Sequence, residues 1–440
     1  MSSPEDKARF NAGLLDFLAE AVTPFHACEA LATRLEAEGY RRWGDHGSGD
    51  WHLEAGQGAY YWIGGSLIAL RAGAGPIGDS GLRMVGAHTD SPCLMVKPQP
   101  EIAGSAYEQL SVEVYGGALL NPWFDRDLSL AGRVSYGTRE GAVATTLVDF
   151  RDPVAVIPSL AIHLDREANK GRPMNAQTEM APLLGLAADG GPALRDRLIA
   201  YLHGQGSEAE EVLDFELCFY DTQRPAMVGM AGEFIASARL DNLLSCYTGL
   251  QALLQAEVGE WALLVCNDHE EVGSRSATGA QGPMLREFLR RLPGVPPSLA
   301  PLMDRSMLIS ADNAHGLHPN FPDKHDPGHG PLLNAGPVIK MNASQRYATG
   351  SDGSALFRLI ARELEVPVQS FVTRADMGCG STIGPISAGE LGVTTLDIGV
   401  PTFAMHSIRE LAGSDDAWML SRVLARFFAR SGPLFQRGNG

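Results

Sequence analysis

The residues that could do chemistry fall in short runs, most of them just after an apolar, strand-like stretch: His88-Thr89-Asp90, Asp241-Asn242, Glu270-Glu271, Asp312 and His406. Imidazole nitrogens and carboxylate oxygens are the donors that hold divalent ions such as zinc. One His, a lone Asp, a Glu pair, a further Asp and a final His match the inventory of a site for two metal ions. In such a site one carboxylate is shared between the ions and one Glu remains to carry a proton.

Each run also has a plainer reading. His88 and Asp90 are two residues apart, so on an extended segment they point the same way. Asp90 can then fix the imidazole tautomer and raise its basicity, although a His at a strand end is often just a surface or core histidine. Asp241 before a leucine-rich helix reads equally well as an N-cap. Glu270 and Glu271 are adjacent acids that repel unless a positive charge sits nearby, and a metal removes that conflict. One Glu ligates while its neighbour takes a proton from water, whose pKa a divalent ion lowers from about 15.7 toward about 7. A solvated acidic turn is the competing reading. Asp312 follows Met307-Leu308-Ile309-Ser310 and precedes His315, His318, His325 and His329. Asn313, Pro319, Asn320, Pro322 and Pro327 favour a stiff loop there, with the imidazoles lining a pocket or facing solvent, over a second metal cluster.

The elements that must position these residues are readable from periodicity. Ser3-Pro4-Glu5-Asp6 looks like a capping box with Pro at the first helical position, followed by Phe10, Leu14, Leu18 and Val22 on one helix face. Tyr60 to Ile63 and Ser66 to Leu70, separated by Gly64-Gly65, read as a hairpin, and Leu82 to Ala87 as a buried strand ending at His88. From about Pro92 to Gly232 alternating segments such as Leu110 to Val114 and Leu213 to Leu217 predict half-buried antiparallel sheet, with a helix near Leu194 to Leu202. After Gly232 strands and helices alternate. Trp261 to Cys266, Met307 to Ser310 and Thr394 to Ile398 are the strands, and Leu240, Leu243, Leu244, Tyr247, Leu250 and Leu254 mark a helix opened by Asp241. The pattern is an α/β fold carrying a β-rich insertion. Ligands of open α/β sheets bind beyond the carboxyl ends of the strands, so His88, Glu270, Glu271 and Asp312 are expected to converge there, while His406 stands on a loop after a strand ending near Gly399.

Composition narrows the function classes. The chain has 440 residues, 45% hydrophobic and 20% charged, enough for a large core and two domains. A formal net charge of −17 argues against nucleic-acid and anionic-membrane partners, which require a positive field. Cys28, Cys93, Cys218, Cys246, Cys266 and Cys379 lie far apart with no C-x-x-C pair, which fits a reducing compartment. A polar N-terminus without an apolar leader run predicts a cytoplasmic location, and no window is apolar enough to span a membrane.

Taken together, the runs resemble the aspartyl aminopeptidases, cytosolic metallopeptidases with two cooperating zinc ions. The resemblance rests on Gly86-Ala87-His88-Thr89-Asp90-Ser91-Pro92, Arg239-Leu240-Asp241-Asn242, Glu270-Glu271-Val272-Gly273-Ser274, Ser310-Ala311-Asp312, His318-Pro319-Asn320, Gln345-Arg346-Tyr347-Ala348 and Met405-His406-Ser407-Ile408-Arg409-Glu410. It implies a mixed-sheet α/β zinc-peptidase domain with helices on both faces, residues 1–91 and 233–440. Residues 92–232 would be an inserted β-rich domain for oligomerisation and substrate gating. It further implies that His88, Asp241 and Asp312 hold one zinc and Asp241, Glu271 and His406 the other, with Glu270 as general base and Asp90 orienting His88. Mn or Co could substitute for zinc, since they share these donors.

By the same resemblance Lys340 helps receive an acidic substrate side chain, and His163 is lent to the active site of a neighbouring subunit in a dodecamer. The substrates would be peptides with a free N-terminus, preferably starting with Asp or Glu. The chain departs from the family's usual pattern at Gly350-Ser351-Asp352-Gly353, where an Asp352 carboxylate facing the pocket would weaken that preference. Two other readings stand beside this one: a dizinc amidase or carboxypeptidase, and a catalytically idle metal-binding scaffold.

Overall fold

The computed structural model describes residues 4–44, 51–104, 106–187, 191–257 and 259–435. Ser3 of the expected capping box lies outside them, and the first helix, Pro4–Glu20, begins at the proline. Chain contacts divide the protein into two compact units. One comprises Met1–Asp90, Pro225–Met405 and Glu410–Gly440, and the other Ser91–Arg224 with His406–Arg409.

The first unit is built on a nine-stranded mixed sheet. The hairpin Gly58–Ile63 and Ser66–Arg71 forms as expected. Gly64 takes a φ of +58° at its turn, and a Cβ on Gly65 would lie 2.2 Å from the Asp268 carboxylate, so neither position suits a larger residue. At the sheet centre Trp261–Asn267, Leu82–His88, Met307–Ala311 and Thr394–Gly399 run parallel as neighbours. Val338–Met341 adds antiparallel to the last of these.

Alternation along these strands sends side chains into two separate cores. Val85, Ala87, Leu264, Cys266 and Ile309 pack with the helices Pro4–Glu20, Pro24–Ala37, Leu240–Gln255, Ser351–Glu363 and Asp416–Phe428. Met84, Leu263, Val265 and Leu308 pack on the other face with Met284–Arg291 and Ala300–Met303. Helices therefore cover both faces, and the strands read as near-continuous apolar runs because both sides are dry. Leu240–Gln255 is buried almost all round, since the sheet lies on one side and Phe10 and Phe17 close on Tyr247 from the other, with ring centroids 5.2 and 5.6 Å away. Leu243, Leu244 and Leu250 are fully buried there, each contributing roughly 1.5–3 kcal/mol. A smaller five-stranded sheet in the same unit includes Phe234–Ser237, Glu410–Gly413 and Pro401–Phe403.

The second unit is a six-stranded antiparallel sheet in the order Val143–Asp149, Leu128–Gly137, Glu211–Asp221, Cys93–Glu101, Tyr107–Tyr115, Leu183–Leu186. The helix Leu194–Gly204 packs Leu194, Leu198 and Leu202 into its core, with Leu130, Val134, Leu217 and Phe219. The expected helix near Leu194 to Leu202 is thus present and slightly longer. Among the described residues no helix is long and apolar enough to cross a membrane.

Candidate metal centre and active site

Within the first unit the carboxyl ends of three adjacent strands supply the chemistry. His88 is the last residue of its strand, Glu270 and Glu271 lie in a short 3-10 turn after Trp261–Asn267, and Asp312 follows Met307–Ala311. Asp241 approaches from the start of the long helix, where the expectation needs refinement. Asp241 (φ −83°, ψ 104°) and Asn242 (φ −127°, ψ 25°) are not helical, so regular helix begins only after them. The peptide bond between them is cis. The Asn242 amide donates to the Ala311 carbonyl at 2.8 Å, which ties this segment to the strand that delivers Asp312.

His88 is 1% exposed. Its Nδ1 lies 3.0 Å from the Asp90 carbonyl oxygen and 3.3 Å from Asp90 Oδ1. A hydrogen on Nδ1 satisfies those acceptors and leaves the Nε2 lone pair pointing the other way. Nε2 faces carboxylate oxygens of Asp241, Asp312 and Glu270 at 3.5, 3.6 and 3.9 Å, too far for good hydrogen bonds. Asp90 is fully buried and does more than its spacing indicates. Its Oδ1 accepts the Glu270 N–H and its Oδ2 the Glu271 N–H, both at 3.1 Å, so one side chain holds the Glu pair as well as the imidazole.

The electrostatics call for a cation. Burial works against a charged imidazole, yet Glu270, Asp241, Asp312 and Asp90 together raise the His88 pKa well above its usual range. Burial is also the main force holding the Glu270 carboxyl up at about 8. His88 opposes it, while Asp312, Glu271 and Asp241 add to it. Acids this close ionise together only beside a compensating positive charge, and a divalent ion reverses the local balance. The ligand atoms of His88, Asp241 and Asp312 lie within 4.8 Å of one another, as do those of His88, Glu270 and Glu271. This mixed nitrogen and oxygen donor set suits zinc.

Lys340 is 2% exposed, and its ammonium donates to Asp312 Oδ2 at 3.0 Å and to the Asn313 carbonyl at 3.2 Å, beneath the Tyr347 ring. In the same unit a cleft of ≈ 290 Å³ is lined by His315, His318, His325, Tyr347, Phe371 and Arg374 among others. Three of the clustered imidazoles thus line a pocket, as the loop reading allows, and burial holds the pKa of His315 below its usual value. The fourth, His329, is exposed beside Asp326. Asp352 sits exposed in the first turn of Ser351–Glu363 and is not among the residues lining this cleft.

The two remaining predicted residues belong to the second unit. His406 has φ +66°, and its Nδ1 lies 3.1 Å from the Gly117 carbonyl while its own carbonyl accepts the Leu119 N–H. His163 is exposed in a turn between Ile162 and Leu164, themselves 49% and 75% exposed. The sequence reading gave no role to Glu410, which closes the last matching stretch. It is 3% exposed and accepts the Asp241 N–H on Oε2 at 2.8 Å. A charged residue opening a strand that otherwise reads Leu-Ala-Gly was the one available signal.

The chain is similar to known proteins along nearly its whole length. The model of a family described as "Aminopeptidase I zinc metalloprotease (M18)" matches residues 17–428. The chain is 58% identical over 431 residues to a "Probable M18 family aminopeptidase 2" of Pseudomonas aeruginosa (strain UCBPP-PA14), covering 97% of this chain and 99% of that protein. Among solved structures, "Cryo-EM structure of the Ape4 and Nbr1 complex" is 36% identical with a TM-score of 0.91, covering 96% of this chain and 86% of that one. "Structure of S. cerevesiae mApe1 dodecamer" is 26% identical with a TM-score of 0.82, covering 95% and 96%.

Proposed function

The chain belongs to the M18 aminopeptidases, a zinc metalloprotease family, and from that premise we propose that it removes N-terminal Asp or Glu from peptides at a two-zinc site with Glu270 as general base. The observation that carries this reading is the ring of Asp241, Asp312 and Glu270 oxygens around His88 Nε2, at 3.5, 3.6 and 3.9 Å. His88, Asp241 and Asp312 would hold one ion and Asp241, Glu271 and His406 the other, so that Asp241 is shared. The chemistry that zinc supplies in such a site is Lewis acidity, which acidifies water and polarises a carbonyl.

The chain's own groups do the rest. His88 offers its Nε2 lone pair because its Nδ1–H donates to the Asp90 carbonyl oxygen. Glu270, its backbone held by Asp90, removes a proton from the attacking water and returns it to the leaving amine. Lys340 offsets the charge of Asp312 and, from that position, biases the site toward an acidic first residue. The dodecamer described for the S. cerevesiae structure supports a homo-oligomer here, in which the exposed His163 turn would reach a neighbouring copy's site.

Glu270→Gln tests the central role. Turnover should be abolished while bound zinc is retained, and a variant hydrolysing near the normal rate would remove Glu270 as base. An amidase or carboxypeptidase would accept N-acetylated peptides that an aminopeptidase refuses.

A further inference from the structure

Asp241 is the residue on which the proposed site turns, yet it stands in the least regular backbone of its helix, before the helical dihedrals begin. Something other than helical hydrogen bonding must hold its main chain. The Asn242 side chain anchors the next residue to the Ala311 carbonyl, and the Asp241 N–H itself is taken by Glu410 Oε2 at 2.8 Å. Glu410 lies in the strand Glu410–Gly413, paired in register with Ser237 in the strand that leads into Asp241, and it is 3% exposed. A buried carboxylate on a backbone N–H makes a charge-assisted bond, shorter and stronger than a neutral one.

The same device appears at the Glu pair, where Asp90 accepts the N–H groups of Glu270 and Glu271. The two arrangements are parallel: an acid meant for the metal has its backbone pinned by a second acid from a distant part of the chain. We infer that Glu410 is a positioning residue for this reaction, whose carboxylate fixes the Asp241 main chain so that the Asp241 side chain is aimed at the metals. This rests on the reading that Asp241 is a metal ligand. The segment is arranged so that Glu410 follows His406 by four residues, which joins the placement of one proposed ligand to the anchoring of another along the chain.

The test uses the full-length protein, purified and loaded with zinc or with cobalt as a spectroscopic probe, in Glu410→Ala, Glu410→Gln and Asp241→Asn forms. Glu410→Ala should weaken metal affinity by roughly 10- to 100-fold, the usual effect of losing a group that orients a ligand, and should alter the visible cobalt spectrum. Glu410→Gln keeps an acceptor oxygen and should restore most of the affinity and a near-native spectrum. A structural role alone would lower the melting temperature without moving the spectrum of the folded, loaded enzyme. If Glu410→Ala does not fold, Glu410→Gln carries the test, and a Gln variant with an alanine-like loss of folding, or with a spectrum unlike wild type, overturns the inference. Wild-type affinity and spectrum in Glu410→Ala overturn it too. Asp241→Asn separates the two claims. If it retains both metals, the shared-ligand reading fails; if it loses them while Glu410→Ala does not, only the role of Glu410 fails.

Discussion

Replacing Asp90 with Asn tests how much of the site depends on one buried side chain. Asp90 accepts two backbone N–H groups, those of Glu270 and Glu271 at 3.1 Å each, and lies 3.3 Å from His88 Nδ1. Asparagine keeps one oxygen and turns an NH2 toward the other donor, so one of the two bonds is lost. A hydrogen bond to a charged group contributes about 1.5–3 kcal/mol. If that energy serves to place Glu270, kcat should fall about 10- to 150-fold, at 1.36 kcal/mol per factor of ten. The assay is steady-state hydrolysis of an aminoacyl anilide by zinc-saturated enzyme, with folding checked by circular dichroism. Because Asp90 is fully buried behind the residues it holds, KM should stay within a few fold of wild type. An Asp90→Asn enzyme with unchanged kcat would show that the Glu pair is held by the strand end alone, and the reasoning would be wrong.

Lys340→Met should weaken zinc binding, because Asp312 loses its 3.0 Å partner, and should lower kcat/KM for glutamyl substrates more than for alanyl ones; an unchanged ratio would end its part in specificity. Dialysis against a chelator should abolish activity, and full recovery should require two equivalents of zinc per subunit; recovery with one would sink the two-ion reading. Asp416 offers a test of stability against pH. Burial holds its carboxyl up at about 7, although the N–H groups of Asn334 and Gly336 at 2.6 and 2.8 Å pull the other way. The unfolded value is about 3.9, so the folded protein binds this proton more tightly. The associated stability is complete below about pH 4 and is lost as pH rises through about 7. Asp416→Asn is neutral throughout, so its melting temperature relative to wild type should rise between pH 5 and 8, and a constant difference would refute the assignment.

Much of this was legible because it is local. Apolar runs ending at His88, before the Glu pair and at Asp312 could be read as strands, and doubly buried strands are the kind whose composition shows it. The Gly64-Gly65 hairpin and the helix at Leu194 followed from turn chemistry and periodicity in the same way. What escaped the sequence is long-range or conformational. Asp90 and Glu270 are 180 residues apart, and Asp241 and Glu410 are 169 apart, so neither hydrogen bond leaves a pattern in a local window. Asp241 sits where an N-cap is expected, yet its dihedrals depart from helix beyond that single position, as does Asn242. Lys340 lies within the strand Val338–Met341, and its burial against Asp312 depends on a neighbouring strand end that periodicity cannot specify.

His88, Glu270 and Asp312 issue from three strands that are immediate neighbours in one parallel array. Their lateral separation is therefore inherited from the peptide hydrogen-bond lattice, whose repeat of about 4.8 Å no side-chain substitution can alter. Loops that carry none of these residues can drift in length and composition without changing the spacing of the three strand ends. Deleting a single residue within Leu82–His88 would be far more damaging than many loop changes, since it would turn the imidazole to the opposite face of the sheet.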